Sequence, residues 1–182
     1  MTTPPPEPKR ISAEVPDWSR EYKHWLTWDP GRSLLASIRA YQRLNGSKWL
    51  IVRWLRRVVV FRHRFWSAVA GADIPLNTQI AGGLLMPHPN GIVVHPQSRI
   101  GPNCLLFQQV TLAGVCVLEG HVDIGAGAKI IGPVTIGKHA RIGANAVVIQ
   151  DIPRDSTAAG VPARVIRQTD KTTEQQLSWL HR

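Results

Sequence analysis

Residues 92–148 read IVVHPQSRIGPNCLLFQQVTLAGVCVLEGHVDIGAGAKIIGPVTIGKHARIGANAVV, and an aliphatic residue occupies every sixth position from Val94 to Val148. Two residues before each of these positions stands a small or β-branched residue, from Ile92 to Ala146. A period of six fits neither an α-helix nor an alternating strand, but it fits a chain that turns a corner every six residues. Three such edges close a coil of about 18 residues, so this stretch predicts a β-helix of stacked parallel strands.

Cys104 and Cys116, the only cysteines, fall on the track of small residues. Two cysteines cannot build a disulfide framework or a four-thiolate zinc site. We therefore predict two buried small side chains and a reducing compartment.

The remainder of the 182-residue chain has a different composition. All seven Trp and both Tyr lie outside residues 71–166. We predict that these bulky rings are buried between helices, over 33–44 and 48–69, with a break at Asp29-Pro30-Gly31. The domain boundaries that follow are a disordered or loosely docked arm (1–17), an α-helical region (18–70), the β-helix (71–167) and a tail with a short helix (168–182).

The chain is basic, with 22 Lys and Arg against 12 Asp and Glu, a net charge of +10. In the second predicted helix one side carries Arg53, Arg56, Arg57 and Arg64, and the opposite side carries Ile51, Trp54, Leu55, Val58 and Phe65. Such a helix either lies on an anionic membrane or docks on the protein and leaves its Arg face solvated. We favour the docked helix. Nucleic-acid binding needs base-facing or stacking groups, and the Trp residues here sit at core-like helical positions, so it is not predicted.

His88 lies where the six-residue spacing fails. The spacing begins at Ile74 and continues through Met86, but it slips by two residues before Val94, so His88 is expected to leave the regular wall. Asp73 precedes His88 by 15 residues, just under one coil, and can approach it from the neighbouring coil. An Asp that accepts from one imidazole nitrogen makes the other a better general base. The alternative is a surface histidine with no catalytic role.

The hexad tracks, Asp73 with His88, IGAGAKIIGPVTIG (Ile124–Gly137) and AAGVPARVI (Ala158–Ile166) resemble the serine acetyltransferases. More broadly, the sequence resembles the hexapeptide-repeat acyltransferases. The resemblance covers about residues 70–167. It implies a mainly β fold, a left-handed parallel β-helix with a short N-terminal α-helical region and a C-terminal tail.

The resemblance also implies an acetyl-CoA-dependent O-acetyltransferase that needs no metal. His88 would be the catalytic base and Asp73 its partner, and the acceptor hydroxyl would attack the thioester directly. The backbone at Ala126 and Ala144, one coil apart, would contact the pantetheine arm. Gly160 and Arg164 would lie towards the other end of the coenzyme.

Relatives of this kind assemble as trimers or dimers of trimers, with active sites between neighbouring β-helices. The expected location is the cytoplasm, including the inner face of the membrane if the Arg- and Trp-rich helix contacts lipid. With L-serine as acceptor, the reaction would belong to cysteine biosynthesis.

Three departures leave the acceptor open. Pro87 stands where the family often has Asp, the hexads run unbroken from Leu112 to Ile124 where a substrate-binding loop is usual, and the helical region is shorter. The acceptor is therefore either L-serine or a saccharide hydroxyl, as in exopolysaccharide relatives of the colanic acid type. A non-catalytic β-helix scaffold is an alternative. A carbonic-anhydrase-like metal site is a third, and it would need His88, His121 and His139 to converge.

Overall fold

The structure is a computed structural model that describes residues 11–24, 26–46 and 49–168. The predicted helix in the tail and the first ten residues lie outside this range. Within it, two α-helices precede a β-helix with three faces, which confirms the predicted fold.

The three faces are made of short strands, one from each coil. Face A contains β2 (Val93–Val94), β5 (Thr111–Ala113), β8 (Lys129–Ile131) and β11 (Val147–Val148). Face B contains β1 (Gln79–Ile80), β3 (Arg99–Ile100), β6 (Cys116–Leu118) and β9 (Val134–Ile136). Face C contains β4 (Leu105–Leu106), β7 (Asp123–Ile124), β10 (Arg141–Ile142), β12 (Ser156–Gly160) and β13 (Ala163–Gln168). Strands pair in parallel within each face, except that β13 returns antiparallel to β12.

The aliphatic track forms the core of the β-helix. Val94 of β2 pairs with Leu112 of β5, and Leu112 pairs with Ile130 of β8, so each coil takes 18 residues. These side chains are buried, as are Cys104 and Cys116 on the small track. The six-residue period therefore predicted both the faces and the inward side chains.

The first and last coils depart from this length. Asp73 pairs with Val93 and Leu85 pairs with Leu105, both steps of 20 residues, so the two additional residues lie between Leu85 and Val93. At the other end Ile136 pairs with Ile152, a step of 16. The insertion coincides with the predicted slip in register and contains His88.

Helix α1 runs from Pro30 to Leu44 and begins earlier than predicted. Asp29 caps it, because its Oδ1 accepts from the amide of Arg32 at 2.9 Å, and Pro30 suits the first turn. The predicted break at Asp29-Pro30-Gly31 is therefore wrong, since these residues start the helix. Leu34, Leu35 and Ile38 of α1 join the core of the β-helix.

Helix α2 runs from Leu50 to Ala70 and ends at Gly71, whose φ of 62° is left-handed. It packs on α1 through a side that buries His63. The prediction that the Trp rings are buried between helices is wrong for Trp18, Trp28, Trp49 and Trp54, which are exposed. The predicted orientation of α2 is also wrong, because its apolar side faces solvent. No helix in the described part of the chain is long and apolar enough to cross a membrane.

Residues before α1 dock on the β-helix. The fully buried Asn103 accepts from the amide of Asp17 at 2.8 Å and donates to the carbonyls of Ser12 and Val15 at 2.7 and 2.9 Å. Further along, Glu21 pairs with Arg39 of α1 at 2.8 Å. Hydrogen bonds thus hold the arm against the first coils of the β-helix, and an ion pair joins it to α1.

Candidate active site

The corners that lead from face C to face A stack on one another. The amide of Gln109 donates to the carbonyl of Asn90 at 2.9 Å, that of Gly127 to Gln108 at 2.9 Å, and that of Asn145 to Ala126 at 2.8 Å. These bonds join the corners at 87–91, 107–110, 125–128 and 143–146 into one continuous border of the prism. We call this border the C–A edge.

His88 lies at the first corner of the C–A edge, within the two-residue insertion, and its side chain is exposed. The amide of Gly91 donates to the carbonyl of Gly71 at 2.7 Å, which ties the corner to the end of α2. On the other side Gly31 of α1 packs so closely that a Cβ there would lie 2.7 Å from the carbonyl oxygen of Met86. Both ends of the segment that carries His88 are therefore held by helices.

Asp73 lies at the same end of the prism. Its amide donates to the carbonyl of Ile92 at 2.8 Å, and its carbonyl accepts from Val94 at 2.9 Å, so it extends face A below β2. Its side chain points outward and is exposed. Asp73 and His88 thus flank one corner, although in the described part of the chain no hydrogen bond joins the carboxylate to the imidazole.

Three of the four predicted coenzyme positions also lie on this edge. Ala126 and Ala144 occupy its third and fourth corners. Because Ala158 of β12 pairs with Ile142 of β10, Gly160 lies directly above Ala144. Coils spaced by about 4.8 Å place Ala144 about 14 Å along the edge from the corner of His88. The edge therefore offers an extended track of backbone that starts at a histidine.

Arg164 lies beyond this track, on β13 opposite Ala159. Its side chain is exposed, and its Nη1 donates to the carbonyl of Ala163 at 3.1 Å. The guanidinium is thus available near the far end of the C–A edge.

His63 was not identified from the sequence as a residue near the site. It is buried, and its Nδ1 lies 3.1 Å from Oγ of Ser37 in α1. Burial lowers the pKa of His63, and this is partly offset by the charge of Asp73 and a hydrogen bond with the backbone of Ile74. His63 therefore connects both helices to the strand segment that carries Asp73. No periodicity marks such a residue, because the contact exists only once α2 is packed.

His121 and His139 stack on a different border, between faces B and C. Their Nδ1 atoms are 2.8 Å apart, and the rings meet at 66°. Burial lowers the pKa of His121, with the charge of His139 acting in the same direction and that of Asp123 opposing it. His88 is on the C–A edge, so the three histidines do not converge within the chain. Among the described residues, no group of three His, Cys, Asp or Glu side chains could hold a metal ion.

The connection between β5 and β6 is short and lies on the border between faces A and B. Only Gly114 and Val115 join β5 to β6, so no loop projects from this connection. This agrees with the unbroken hexads of the sequence.

The sequence matches no family model. It is 30% identical over 170 residues to a serine acetyltransferase of Mycobacterium tuberculosis, which covers 89% of this chain and 64% of that protein. It is 36% identical over 144 residues to the serine acetyltransferase of Escherichia coli K12, covering 75% of this chain and 53% of that protein. The chain spans about half to two thirds of the length of these relatives.

Solved structures of serine acetyltransferases also resemble this chain. A serine acetyltransferase in complex with CoA superposes with a TM-score of 0.66 at 34% identity, over 78% of this chain and 58% of that one. Another, in complex with cysteine, gives 0.68 at 33% identity, over 81% and 58%. That of Neisseria gonorrhoeae gives 0.69 at 27% identity, over 82% and 59%. The exopolysaccharide branch gains no support from these relatives. The shared β-helix and the extent of these matches show that most of the chain is homologous to the serine acetyltransferases.

Proposed function

We propose that the chain is an acetyl-CoA-dependent O-acetyltransferase whose acceptor is L-serine. The observation that carries this proposal is the C–A edge, where His88 begins a track formed by Ala126, Ala144 and Gly160. A related structure that matches over 78% of this chain is in complex with CoA. An extended pantetheine arm along the track would bring the thioester towards His88.

In this mechanism His88 accepts the proton of the acceptor hydroxyl as the oxygen attacks the thioester carbonyl. The tetrahedral intermediate collapses, the C–S bond breaks, and the CoA thiolate leaves and takes up a proton. No acyl-enzyme forms. Asp73 would orient the imidazole and stabilise its charged form.

The coenzyme would be bound mainly by backbone groups. Gly160 has a φ of 102° and lacks a side chain, so an extended ligand can approach the last corner closely. Arg164 and the net charge of +10 suit an anionic coenzyme.

We propose that the active unit is a homotrimer, alone or as a dimer of trimers. Exposed aliphatic side chains lie outside the prism at Val93, Val115, Ile131 and Ile149. A neighbouring β-helix would cover such residues and exclude water from the C–A edge. The site would then lie between subunits, and the neighbour would supply groups that the short β5–β6 connection lacks.

The two buried cysteines are free, which suits a reducing compartment such as the cytoplasm. With L-serine as acceptor the product would be O-acetylserine, within cysteine biosynthesis. A saccharide hydroxyl is a second candidate acceptor, favoured by the absence of a projecting loop between β5 and β6. No metal is required, since proton transfer by His88 suffices.

The decisive experiment measures thiol release from acetyl-CoA with L-serine and a panel of sugars offered separately. We expect release with L-serine and a loss of about 10²- to 10⁴-fold in His88→Ala. His95→Ala is the matched control, because His95 is a half-buried histidine on another border of the prism. Release with a sugar alone would reassign the acceptor. If wild type and His88→Ala release thiol equally slowly with every acceptor, the scaffold alternative replaces the proposed activity.

A further inference from the structure

The outer side of α2 is an apolar surface that no described residue covers. Its exposed fractions reach 77% at Leu50, 62% at Trp54 and 74% at Phe61. We call it the outer face of α2 and define it by Leu50, Ile51, Trp54, Val58, Phe61 and Phe65.

This exposure follows from how α2 packs. The helix buries His63 and Ala70 against its neighbours. At about 100° per residue, Trp54 and Phe61 lie on the opposite side of the helix. Together with Phe65, these rings expose on the order of 400 Å². A patch of this size equals the largest apolar patch on a typical monomer, and such a patch is often a functional surface.

Charge identifies the kind of partner. Helix α2 contains five arginines and no acidic residue. Arg56 and Arg62 turn towards α1, where they donate to the carbonyls of Leu44 and Ala36 at 3.1 and 3.0 Å. Arg53, Arg57 and Arg64 remain exposed along one border of the outer face. A partner must therefore accept apolar side chains and lie beside negative charge.

We propose that the outer face of α2 docks on an anionic lipid surface. The helix would lie flat, with its apolar residues at the level of the acyl chains and its arginines among anionic headgroups. It is about 31 Å long, and it would not span the bilayer because five arginines interrupt its hydrophobicity. A second copy is a poorer occupant, because two helices with five positive charges each would face one another.

This proposal goes beyond the proposed acetyl transfer and depends on none of its residues. It places the whole chain at a membrane surface whatever the acceptor is. Vesicle binding needs no turnover, so the two proposals can fail separately.

The test is sedimentation of the full chain with vesicles of phosphatidylcholine alone or mixed with phosphatidylglycerol. We expect binding to the mixed vesicles that weakens as salt is added. Each arginine near an anionic surface is worth about fivefold in partitioning, so Arg53→Gln/Arg57→Gln/Arg64→Gln should lose about 100-fold. The matched control Arg43→Gln/Arg99→Gln/Arg167→Gln removes the same charge from exposed positions elsewhere and should lose less than tenfold.

A second variant tests the apolar contact. Trp54→Glu/Phe61→Glu should abolish sedimentation, and circular dichroism should confirm that it folds, since both rings are exposed. Absence of binding to mixed vesicles by the wild-type chain would overturn the proposal. So would equal binding to both kinds of vesicle. A change in oligomer mass caused by Trp54→Glu/Phe61→Glu would assign the face to another copy of the chain and likewise overturn it.

Discussion

Replacing Asn103 should detach the N-terminal arm from the β-helix. The side chain is fully buried and makes three hydrogen bonds to the arm, of 2.7 to 2.9 Å. At about 1 kcal/mol net for each bond, Asn103→Gly should lose about 3 kcal/mol of unfolding free energy. Asn103 has a left-handed φ of 59°, which Ala tolerates less well than Gly or Asn does. Asn103→Ala should therefore lose about 1 kcal/mol more unfolding free energy than Asn103→Gly.

The assay is urea denaturation, with Asn145→Ala as the control. Asn145 has a φ of 56° and is exposed, so this variant should show the backbone penalty of about 1 kcal/mol alone. Limited digestion with trypsin reports on the arm directly, because Arg20 and Lys23 become accessible when it detaches. The reasoning is refuted if Asn103→Gly matches the wild-type chain in both stability and protease resistance.

Three further perturbations address the site. Asp73→Asn should lower kcat by about tenfold or more and shift the pH–rate profile, whereas Asp73→Glu should retain more activity. Equal rates in the wild-type chain and both variants would show that Asp73 takes no part in the mechanism. Gly31→Ala places a Cβ 2.7 Å from the carbonyl of Met86 and should lower kcat about tenfold through displacement of His88, with unchanged kcat as the contrary result. Burial lowers the pKa of His63 in the folded chain, so the unfolded chain binds a proton there more readily. The free energy of unfolding should therefore be highest above about pH 6.5 and fall as the pH is lowered below it. Urea titrations at several pH values should show a weaker pH dependence in His63→Gln.

The sequence predicted the β-helix well because its inward positions repeat. Each coil imposes the same restriction on the same two positions, so the period survives along the whole stretch from Val94 to Val148. The slip before Val94 predicted the irregular corner that carries His88, since a fixed period makes any insertion visible. The stacking of Ala126 and Ala144 followed from their separation of 18 residues.

The helices could not be placed in the same way. An amphipathic pattern shows that α2 has two different sides, but it does not show which side meets α1. We predicted that the apolar side would be covered, whereas α2 is held by His63 and by bonds from Arg56 and Arg62 to backbone carbonyls. The role of His63 beside Asp73 also depends on tertiary packing and leaves no trace in local sequence.

Because both cysteines are buried, the protein should react only very slowly with thiol reagents. Burial raises the pKa of Cys104 to about 12 and also raises that of Cys116, so little thiolate forms near neutral pH. A colorimetric reagent for free CoA would therefore record turnover with almost no background from the enzyme itself. A cysteine introduced at an exposed position such as Phe61 would be the single reactive thiol of the chain, and a fluorophore attached there would report directly on its surroundings.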